Sequence, residues 1–292
     1  MSEVSTEAKD FFSHFVATYT NEFDDYTNVP IEETELYADY RKFPLDLTHF
    51  NDLYDTLIYS RLIRKALELQ EAPKFLIDFG AGSSVPTLLA IKQSKFADLK
   101  TIAVDIDPEA LKVSKLNAEA LGLTDSYIFQ EGSMKSFLQN STFVRGDTIV
   151  VSNPPYIPAP PNTTDYHLIP INGGIDGAEY LLDILNYEHP PGTTLALLWG
   201  SLSNPLRVIP LILEKYDILH MNAIKIHFGN YTKLPHINSH LYELREKGMV
   251  VFDNDEINGE TQIVIGSILR PKLPVNNKGR VGHQVIKDQN KS

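Results

Sequence analysis

An Asn-Pro-Pro-Tyr run at residues 153–156 follows the apolar stretch DTIVVS, which has the composition of a buried strand. The strand must end here, because proline has no N–H group to donate to a neighbouring strand. The Asn153 side-chain oxygen and the Pro154 carbonyl oxygen then form two hydrogen-bond acceptors on a stiff corner. Two such acceptors can bind both N–H groups of a primary amine or amide and leave the nitrogen lone pair free to react. Tyr156 adds an aromatic face beside that nitrogen or beside a cation.

A glycine turn follows an earlier apolar strand. Its candidate cofactor-binding residues are Asp78, Gly80, Ala81 and Gly82. Glycines at this place let a ligand approach the backbone closely, and Asp105, which ends the next predicted strand, can accept both hydroxyl groups of a ribose. The two motifs predict an adenosine-binding half-sheet, and both NAD and S-adenosylmethionine (SAM) fit it. Val85 and Pro86 stand where a dinucleotide turn has its third glycine, which favours SAM because SAM has no pyrophosphate.

Strands and helices alternate from residue 73 onward, which predicts an α/β fold with a Rossmann-like sheet of seven mostly parallel strands. The predicted strands are KFLIDF, KTIAVDID, SYIFQEGS, DTIVVSN, TTLALLWGS, NAIKIHF and TQIVIGSIL. The carboxyl ends of parallel strands meet at one edge of a sheet, where such folds bind their ligands. We therefore expect the glycine turn, Asp105 and Asn153 to line one cleft.

Three regions differ in composition. Residues 1–72 are rich in acids and tyrosines and are predicted to form an N-terminal helical cap or lid. Residues 73–271 are predicted to form the SAM-binding catalytic domain, and residues 272–292 a disordered basic tail. Tyr37, Tyr40 and Phe43 precede the segment that crosses to the core, so we expect them to close over the cofactor and the acceptor.

The composition of the 292-residue chain excludes several classes of protein. A formal net charge of -12 argues against a nucleic-acid partner, whose binding surfaces are normally basic. The chain has no cysteine, which excludes disulfides and thiolate metal sites and suits a cytoplasmic protein. No apolar run approaches the ~20 residues that span a membrane. We predict no metal site, since His236, His240 and Glu243 read as the polar face of a helix, and the sequence does not predict an oligomeric state.

Four segments resemble the class I SAM-dependent methyltransferases, and most of all the release-factor glutamine methyltransferase (HemK) family. They are IDFGAGS, AVDIDPEALKVSKLNAEALGL, DTIVVSNPPYIP and NGGIDGAEYLLDIL, in this order between residues 75 and 185. The resemblance implies that Gly80, Ala81 and Gly82 line the methionine part of SAM, that Asp105 binds the ribose and that Ile106 packs on the adenine. It also implies that Asn153 receives an acceptor amide, with Pro154 and Tyr156 beside it.

The chain departs from the family pattern at several places. Ser84 stands at the third glycine of the turn, and Ser133 and Met134 replace the acid that lies beside the adenine amine. The segment GNYTKLPHINSHLYELREKG is an insertion, and residues 1–72 match no part of the family's helical substrate domain that we can name. These differences leave SAM as the predicted cofactor, with Ser133 and Met134 on its adenine side.

We therefore predict an SAM-dependent N-methyltransferase that acts on an amine or amide of a small molecule or an amino-acid-like acceptor. A competing prediction is an enzyme that uses the aminocarboxypropyl arm of SAM, by transfer or by intramolecular cyclisation, and releases methylthioadenosine. The motifs also allow a protein glutamine methyltransferase, a non-catalytic SAM-binding protein and, disfavoured by the acidic charge, a nucleic-acid base methyltransferase.

Overall fold

The computed structural model describes residues 2–30, 33–34, 42–46, 53–96, 98–140, 146–161, 163, 170–257 and 259–273. Two predicted lid residues, Tyr37 and Tyr40, lie outside these ranges, as does the predicted tail from residue 274 onward.

Eight helices and nine strands alternate along the described part of the chain. The helices are α1 (Glu3–Tyr19), α2 (Leu53–Leu69), α3 (Val85–Lys92), α4 (Pro108–Leu121), α5 (Met134–Asn140), α6 (Glu179–Asn186), α7 (Pro205–Lys215) and α8 (Pro235–Glu246). The strands are β1 (Glu22–Asp25), β2 (Phe75–Phe79), β3 (Lys100–Asp105), β4 (Tyr127–Glu131), β5 (Thr148–Ser152), β6 (Thr194–Gly200), β7 (Tyr216–His227), β8 (Asp253–Asp255) and β9 (Gly259–Pro271).

The nine described strands form one sheet in the order β1-β7-β9-β6-β5-β2-β3-β4, with β8 paired to β9. Strands β4, β3, β2, β5 and β6 are mutually parallel, and β9 runs antiparallel between β6 and β7. The strand order reverses between β2 and β5, which is where open α/β sheets bind ligands. The predicted Rossmann-like α/β fold is confirmed, with the short strands β1 and β8 added to the seven predicted.

The sheet is covered on both faces because its central strands are continuous apolar runs. In β5, Ile149 and Val151 pack in the cluster that contains α2, α3 and α4, whereas Val150 packs in the cluster that contains α1, α5, α6 and α7. A third, smaller apolar cluster lies under α8, in the inserted segment. Within the described ranges no helix has both the length and the apolar composition to cross a membrane.

The N-terminal residues take part in this layered core. Helix α1 buries Phe12 and Phe15 on one face of the sheet, and α2 buries Leu57 and Leu62 on the other. Strand β1 pairs in parallel with β7 at the edge of the sheet. The division of the chain at residue 72 and the covering role of the first block stay predictions.

Candidate functional site

The glycine turn lies at the carboxyl end of β2 and is held by backbone hydrogen bonds to β3. The N–H groups of Gly80 and Ala81 donate to the Val104 carbonyl oxygen at 2.9 and 3.2 Å. Gly80 has a φ of +67°, and a Cβ atom added to it would meet no atom within 4 Å among the described residues. The turn therefore leaves open space above its backbone, as a ligand that lies against it requires.

Ser84, at the position of the family's third glycine, takes the left-handed conformation that glycine would adopt, with a φ of 53°. This conformation costs a non-glycine residue about 1–2 kcal/mol. The Ser84 hydroxyl is buried and lies 2.6 Å from the hydroxyl of Ser114 in α4, which fixes the turn against the next helix. Serine in place of glycine thus adds a side chain but keeps the left-handed backbone of the turn.

Asp105 links the two cofactor motifs. Its carboxylate accepts the Gly82 N–H at 2.8 Å and the Asp107 N–H at 2.9 Å. Burial raises the pKa of this carboxyl, and the two N–H donors oppose the rise. Ile106 follows at the mouth of the site with its side chain 60% exposed, an apolar surface that an adenine ring can cover. The predicted ribose and adenine contacts stay predictions.

Asp78 lies in a buried network next to the turn and is 1% exposed. Its two carboxylate oxygens accept hydrogen bonds from the Tyr59 hydroxyl at 2.9 Å and the Thr87 hydroxyl at 2.5 Å. Burial raises the pKa of Asp78 to about 7, against the lowering effect of the Thr87 and Tyr59 hydrogen bonds. Its predicted part in cofactor binding stays a prediction.

The Asn153 loop leaves the carboxyl end of β5, next to β2 in the sheet. The Asn153 side-chain oxygen Oδ1 is buried and has no hydrogen-bond partner among the described residues. An unpaired buried oxygen costs about 1–3 kcal/mol, so such atoms are normally matched by a ligand, a water molecule or another group. The oxygen that the sequence assigns to the acceptor N–H is thus among the buried oxygens that the described part of the chain leaves without a hydrogen bond.

Tyr156 is predicted to offer its aromatic face to the acceptor or the cofactor. Its side chain is 6% exposed, and its hydroxyl donates to Asp55 Oδ2 in the first turn of α2. The structure therefore shows an anchored tyrosine, and its contact with the acceptor stays a prediction.

A glycine-rich segment, residues 171–178, clamps the Asn153 loop from the other side. Ile157 and Ala159 donate their N–H groups to the Ile171 and Gly174 carbonyl oxygens at 3.1 and 3.0 Å. Cβ atoms would not fit at the two closest glycines: one on Gly173 would lie 2.8 Å from the Pro155 oxygen, and one on Gly177 would lie 2.5 Å from the Tyr156 oxygen. These glycines let the backbones of the loop and the clamp touch.

Asp176 fixes the clamp to α7. Its Oδ2 accepts the Asn204 amide at 2.7 Å and the Arg207 guanidinium at 2.6 Å. Burial raises the pKa of this carboxyl, but the Arg207 and Asn204 hydrogen bonds outweigh burial, and the net pKa is lowered. A charged Asp176 therefore holds together the clamp and the loop after β6.

The remaining predicted residues lie around the turn. Ser133 caps α5 by accepting the Ser136 N–H at 3.1 Å, and Met134 is partly buried against the core. Phe43 packs on the cluster that contains α2, and the nearby Asp46 N–H donates to Asn117 at 2.7 Å. The Asn117 amide also donates to the Ser83 oxygen at 3.1 Å, so residues 42–46 are tied to the glycine turn.

Sequence reasoning missed the residues that support the two motifs from other elements: Asp55, Thr87, Asn117, Asn204 and Arg207. Their partners lie 9 to 101 residues away in the chain, so no local pattern marks them. No group of three or more histidine or acidic side chains arranged to hold a metal ion occurs in the described part of the chain. His240 instead contacts the Ile175 carbonyl oxygen at 2.8 Å.

Comparison with known proteins gives matches to methyltransferases. Residues 61–153 match the ribosomal protein L11 methyltransferase (PrmA) family. The release factor glutamine methyltransferase of Clostridium acetobutylicum is 31% identical over 159 residues, which are 50% of this chain and 53% of that protein. The ribosomal protein L11 methyltransferase of Shigella sonnei is 46% identical over 52 residues, 18% of this chain and 17% of that protein. A solved SAM-dependent methyltransferase of Geobacter sulfurreducens, in complex with S-adenosyl-L-homocysteine, aligns at 14% identity and a TM-score of 0.41, covering 73% of this chain and 90% of that chain.

The match to the PrmA family covers the strands that carry the glycine turn and Asp105. The sequence matches confirm the predicted resemblance to the class I SAM-dependent methyltransferases, among them the release factor glutamine methyltransferases. The chain spans about half the length of the Clostridium relative and less of the Shigella relative. The reaction of the whole protein and its acceptor are therefore proposals.

Proposed function

We propose that this protein transfers the methyl group of SAM to a nitrogen of an amine or amide, on a small molecule or an amino-acid-like acceptor, and that the Asn153 loop holds this nitrogen. The observation that carries the proposal is the buried Oδ1 of Asn153, unpartnered among the described residues, at the point where the strand order reverses. An N–H group of the acceptor nitrogen would supply the donor that this oxygen lacks.

The residues of the turn fit SAM. The space above Gly80 admits the methionine part, Asp105 keeps carboxylate lone pairs for a ribose, and the exposed Ile106 suits an adenine ring. SAM supplies an electrophilic methyl group, whose bond to sulfur breaks with the electron pair left on sulfur as its bond to nitrogen forms. SAM has no pyrophosphate, so it does not need the third glycine of a dinucleotide turn. This agrees with Val85 and Pro86 at that place.

The chain's own part in the reaction is to orient the acceptor. Asn153 Oδ1 and the Pro154 carbonyl oxygen accept the two N–H groups, which keeps the nitrogen lone pair directed away from the loop. The nitrogen loses one proton to water after the methyl group arrives, so no side chain has to act as a base during the transfer. Placement of this kind lowers the barrier by removing the entropy of bringing the two reactants together.

A cavity lies against residues 159–161, beyond the Asn-Pro-Pro-Tyr run, and we propose that it receives the rest of the acceptor. The described residues line a surface cavity of about 320 Å³, whose walls include Pro160, Asn172, Ile175, Glu179 and Tyr180. Tyr180 and Ile175 are 40% and 57% exposed there, so the wall offers both apolar and polar contacts. A cavity of this size suits a small molecule or a single side chain.

A glutamine side chain of a protein is a second candidate acceptor, supported by the 31% identity to a release factor glutamine methyltransferase over half of this chain. Its primary amide would make the same two hydrogen bonds at Asn153. The two candidates differ in what surrounds the amide, so free glutamine, small amines and glutamine-containing peptides separate them.

The test is a screen of amines and amides with SAM, in which release of S-adenosylhomocysteine is measured. Asn153→Ala should lower turnover by about a hundredfold or more and leave SAM affinity within about twofold, because its oxygen orients the acceptor. Asn222→Ala is the matched control, since the Oδ1 atom of Asn222 is likewise buried and unpartnered among the described residues, but Asn222 lies in β7. Equal losses in the two variants would contradict the proposal.

A further inference from the structure

Helix α2 contacts both halves of the site from one face. Asp55, in its first turn, accepts the hydroxyl of Tyr156, and Tyr59, one turn later, donates its hydroxyl to Asp78 at 2.9 Å. Residues four apart on a helix lie above one another, so the two contacts are neighbours on the same stripe. Each of the four side chains is at most 8% exposed.

The far ends of these two contacts lie next to the candidate reacting groups. Tyr156 is three residues from Asn153 in the Asn153 loop, called the acceptor loop below. Asp78 is two residues before Gly80 in the glycine turn, called the cofactor turn below. Asp78 also accepts the Thr87 hydroxyl of α3, the helix that follows the turn. One rigid helix is thus connected to each motif by a buried side-chain hydrogen bond.

We propose that α2 sets the spacing between the acceptor loop and the cofactor turn, with Asp55 and Tyr59 as positioning residues. The proposal rests on the proposed function for its effect on catalysis, but its structural part concerns the loop and the turn alone. A displacement reaction is sensitive to this spacing, because a misplacement of about 1 Å can cost about a hundredfold in rate.

The clamp does not make this helix redundant. Among the described residues, its backbone hydrogen bonds to the loop begin at Ile157, beyond the two prolines. Pro154 and Pro155 have no N–H to donate, so the hydrogen bond from Tyr156 to α2 helps to hold the stretch next to Asn153. The clamp packs its glycines against Pro155 and Tyr156, and α2 adds a side-chain hydrogen bond to the same stretch.

The first arm of the test measures amide hydrogen exchange in the peptide of residues 150–159, together with SAM affinity by calorimetry. Asp55→Ala and Tyr156→Phe should each speed exchange in this peptide about tenfold, with SAM affinity unchanged, because each breaks a buried hydrogen bond. In the double variant, exchange in this peptide should be no faster than in the more affected single variant, since both substitutions remove the same hydrogen bond. Asp55→Asn keeps an acceptor oxygen and should restore slow exchange.

The second arm measures SAM affinity in Tyr59→Phe, which keeps the ring and removes the donor to Asp78. Affinity should fall about tenfold, with exchange in residues 150–159 unchanged. Ser60→Ala is the matched control, because Ser60 is buried in the same helix and its hydroxyl has no hydrogen-bond partner among the described residues. It should behave as the wild type in both arms.

The proposal is overturned if Asp55→Ala leaves exchange in the loop unchanged, if exchange rises equally across the whole chain, or if Tyr59→Phe leaves SAM affinity unchanged. Neither arm requires an acceptor, so these results are separate from a failure of the proposed function. If the proposed function is wrong, no methyl transfer to any amine or amide will be detected, while both arms still give the expected results. With an accepted substrate, Asp55→Ala should lower kcat about tenfold or more at unchanged SAM affinity.

Discussion

Gly177→Ala is expected to displace the acceptor loop while leaving the cofactor turn intact. The added Cβ would lie 2.5 Å from the Tyr156 oxygen and closer still to the Leu202 oxygen, and ordinary contacts begin at about 3.4 Å. The Tyr156 carbonyl must therefore move by about 0.9 Å, or the clamp must move by the same amount. A shift of this size at the acceptor loop should lower turnover by about a hundredfold.

The same substitution also has a conformational cost, which Gly122→Ala isolates. Gly177 and Gly122 have φ values of +75° and +68°, but a Cβ on Gly122 meets no atom within 4 Å among the described residues. Both variants should lose about 1–2 kcal/mol from the left-handed backbone, and Gly177→Ala about 1–3 kcal/mol more from the clash. Gly122 lies at the end of α4, so Gly122→Ala should keep wild-type turnover.

The assay combines thermal unfolding, SAM binding by calorimetry and S-adenosylhomocysteine release with an accepted amine or amide. The expected result for Gly177→Ala is SAM affinity within about twofold of the wild type and turnover reduced about a hundredfold. Turnover at the wild-type level would refute the reasoning that the glycine contact sets the loop position. An equal loss of SAM affinity would show that the substitution acts by general destabilisation.

Three further predictions concern the cofactor half of the site. Burial raises the pKa of Asp78 to about 7, above the ~3.9 of an unfolded aspartate, so the folded state binds the extra proton between these values. The free energy of unfolding should therefore fall as the pH rises from about 4 to about 7, and Asp78→Asn should flatten that part of the profile measured by urea unfolding; an unchanged slope would contradict the burial argument. Ile106→Ala should weaken SAM binding about fivefold without loss of stability, whereas Leu116→Ala, at a position that is 57% exposed on α4, should change neither quantity. Phe43→Ala should weaken SAM binding if residues 42–46 cover the turn, and a loss of stability alone would remove Phe43 from the predicted lid.

The order of elements could be predicted because each central strand is a short apolar run followed by a turn signal. Helix starts also carry local signals: Asp107 caps α4 by accepting the Glu109 N–H at 2.9 Å, and Pro108 follows in the first turn. Strand β1 could not be predicted, since its four residues, EFDD, are all exposed and have no apolar pattern. Its pairing with β7 depends on backbone hydrogen bonds at the sheet edge, which side-chain patterns do not record.

The candidate site could be predicted only as two motifs. The sequence placed Asn153 and the glycine turn after parallel strands, and the sheet order brings those strands side by side. The contact between Asp55 and Tyr156 joins residues 101 positions apart, and it anchors the hydroxyl of Tyr156 in a way that the sequence does not predict. Long-range contacts of this kind follow from the packing of α2 on the sheet, so only the three-dimensional structure reveals them.

The most direct test of the proposed methyl transfer is the identity of the product formed from SAM. Purified protein and the Asn153→Ala variant are incubated with SAM, with and without an accepted amine or amide, and the adenosine products are identified by mass spectrometry. The account predicts S-adenosylhomocysteine only when the acceptor is present, and its loss in the variant at unchanged SAM affinity. Methylthioadenosine formed without an acceptor, and lost in the variant, would show that the aminocarboxypropyl arm reacts instead and would contradict methyl transfer.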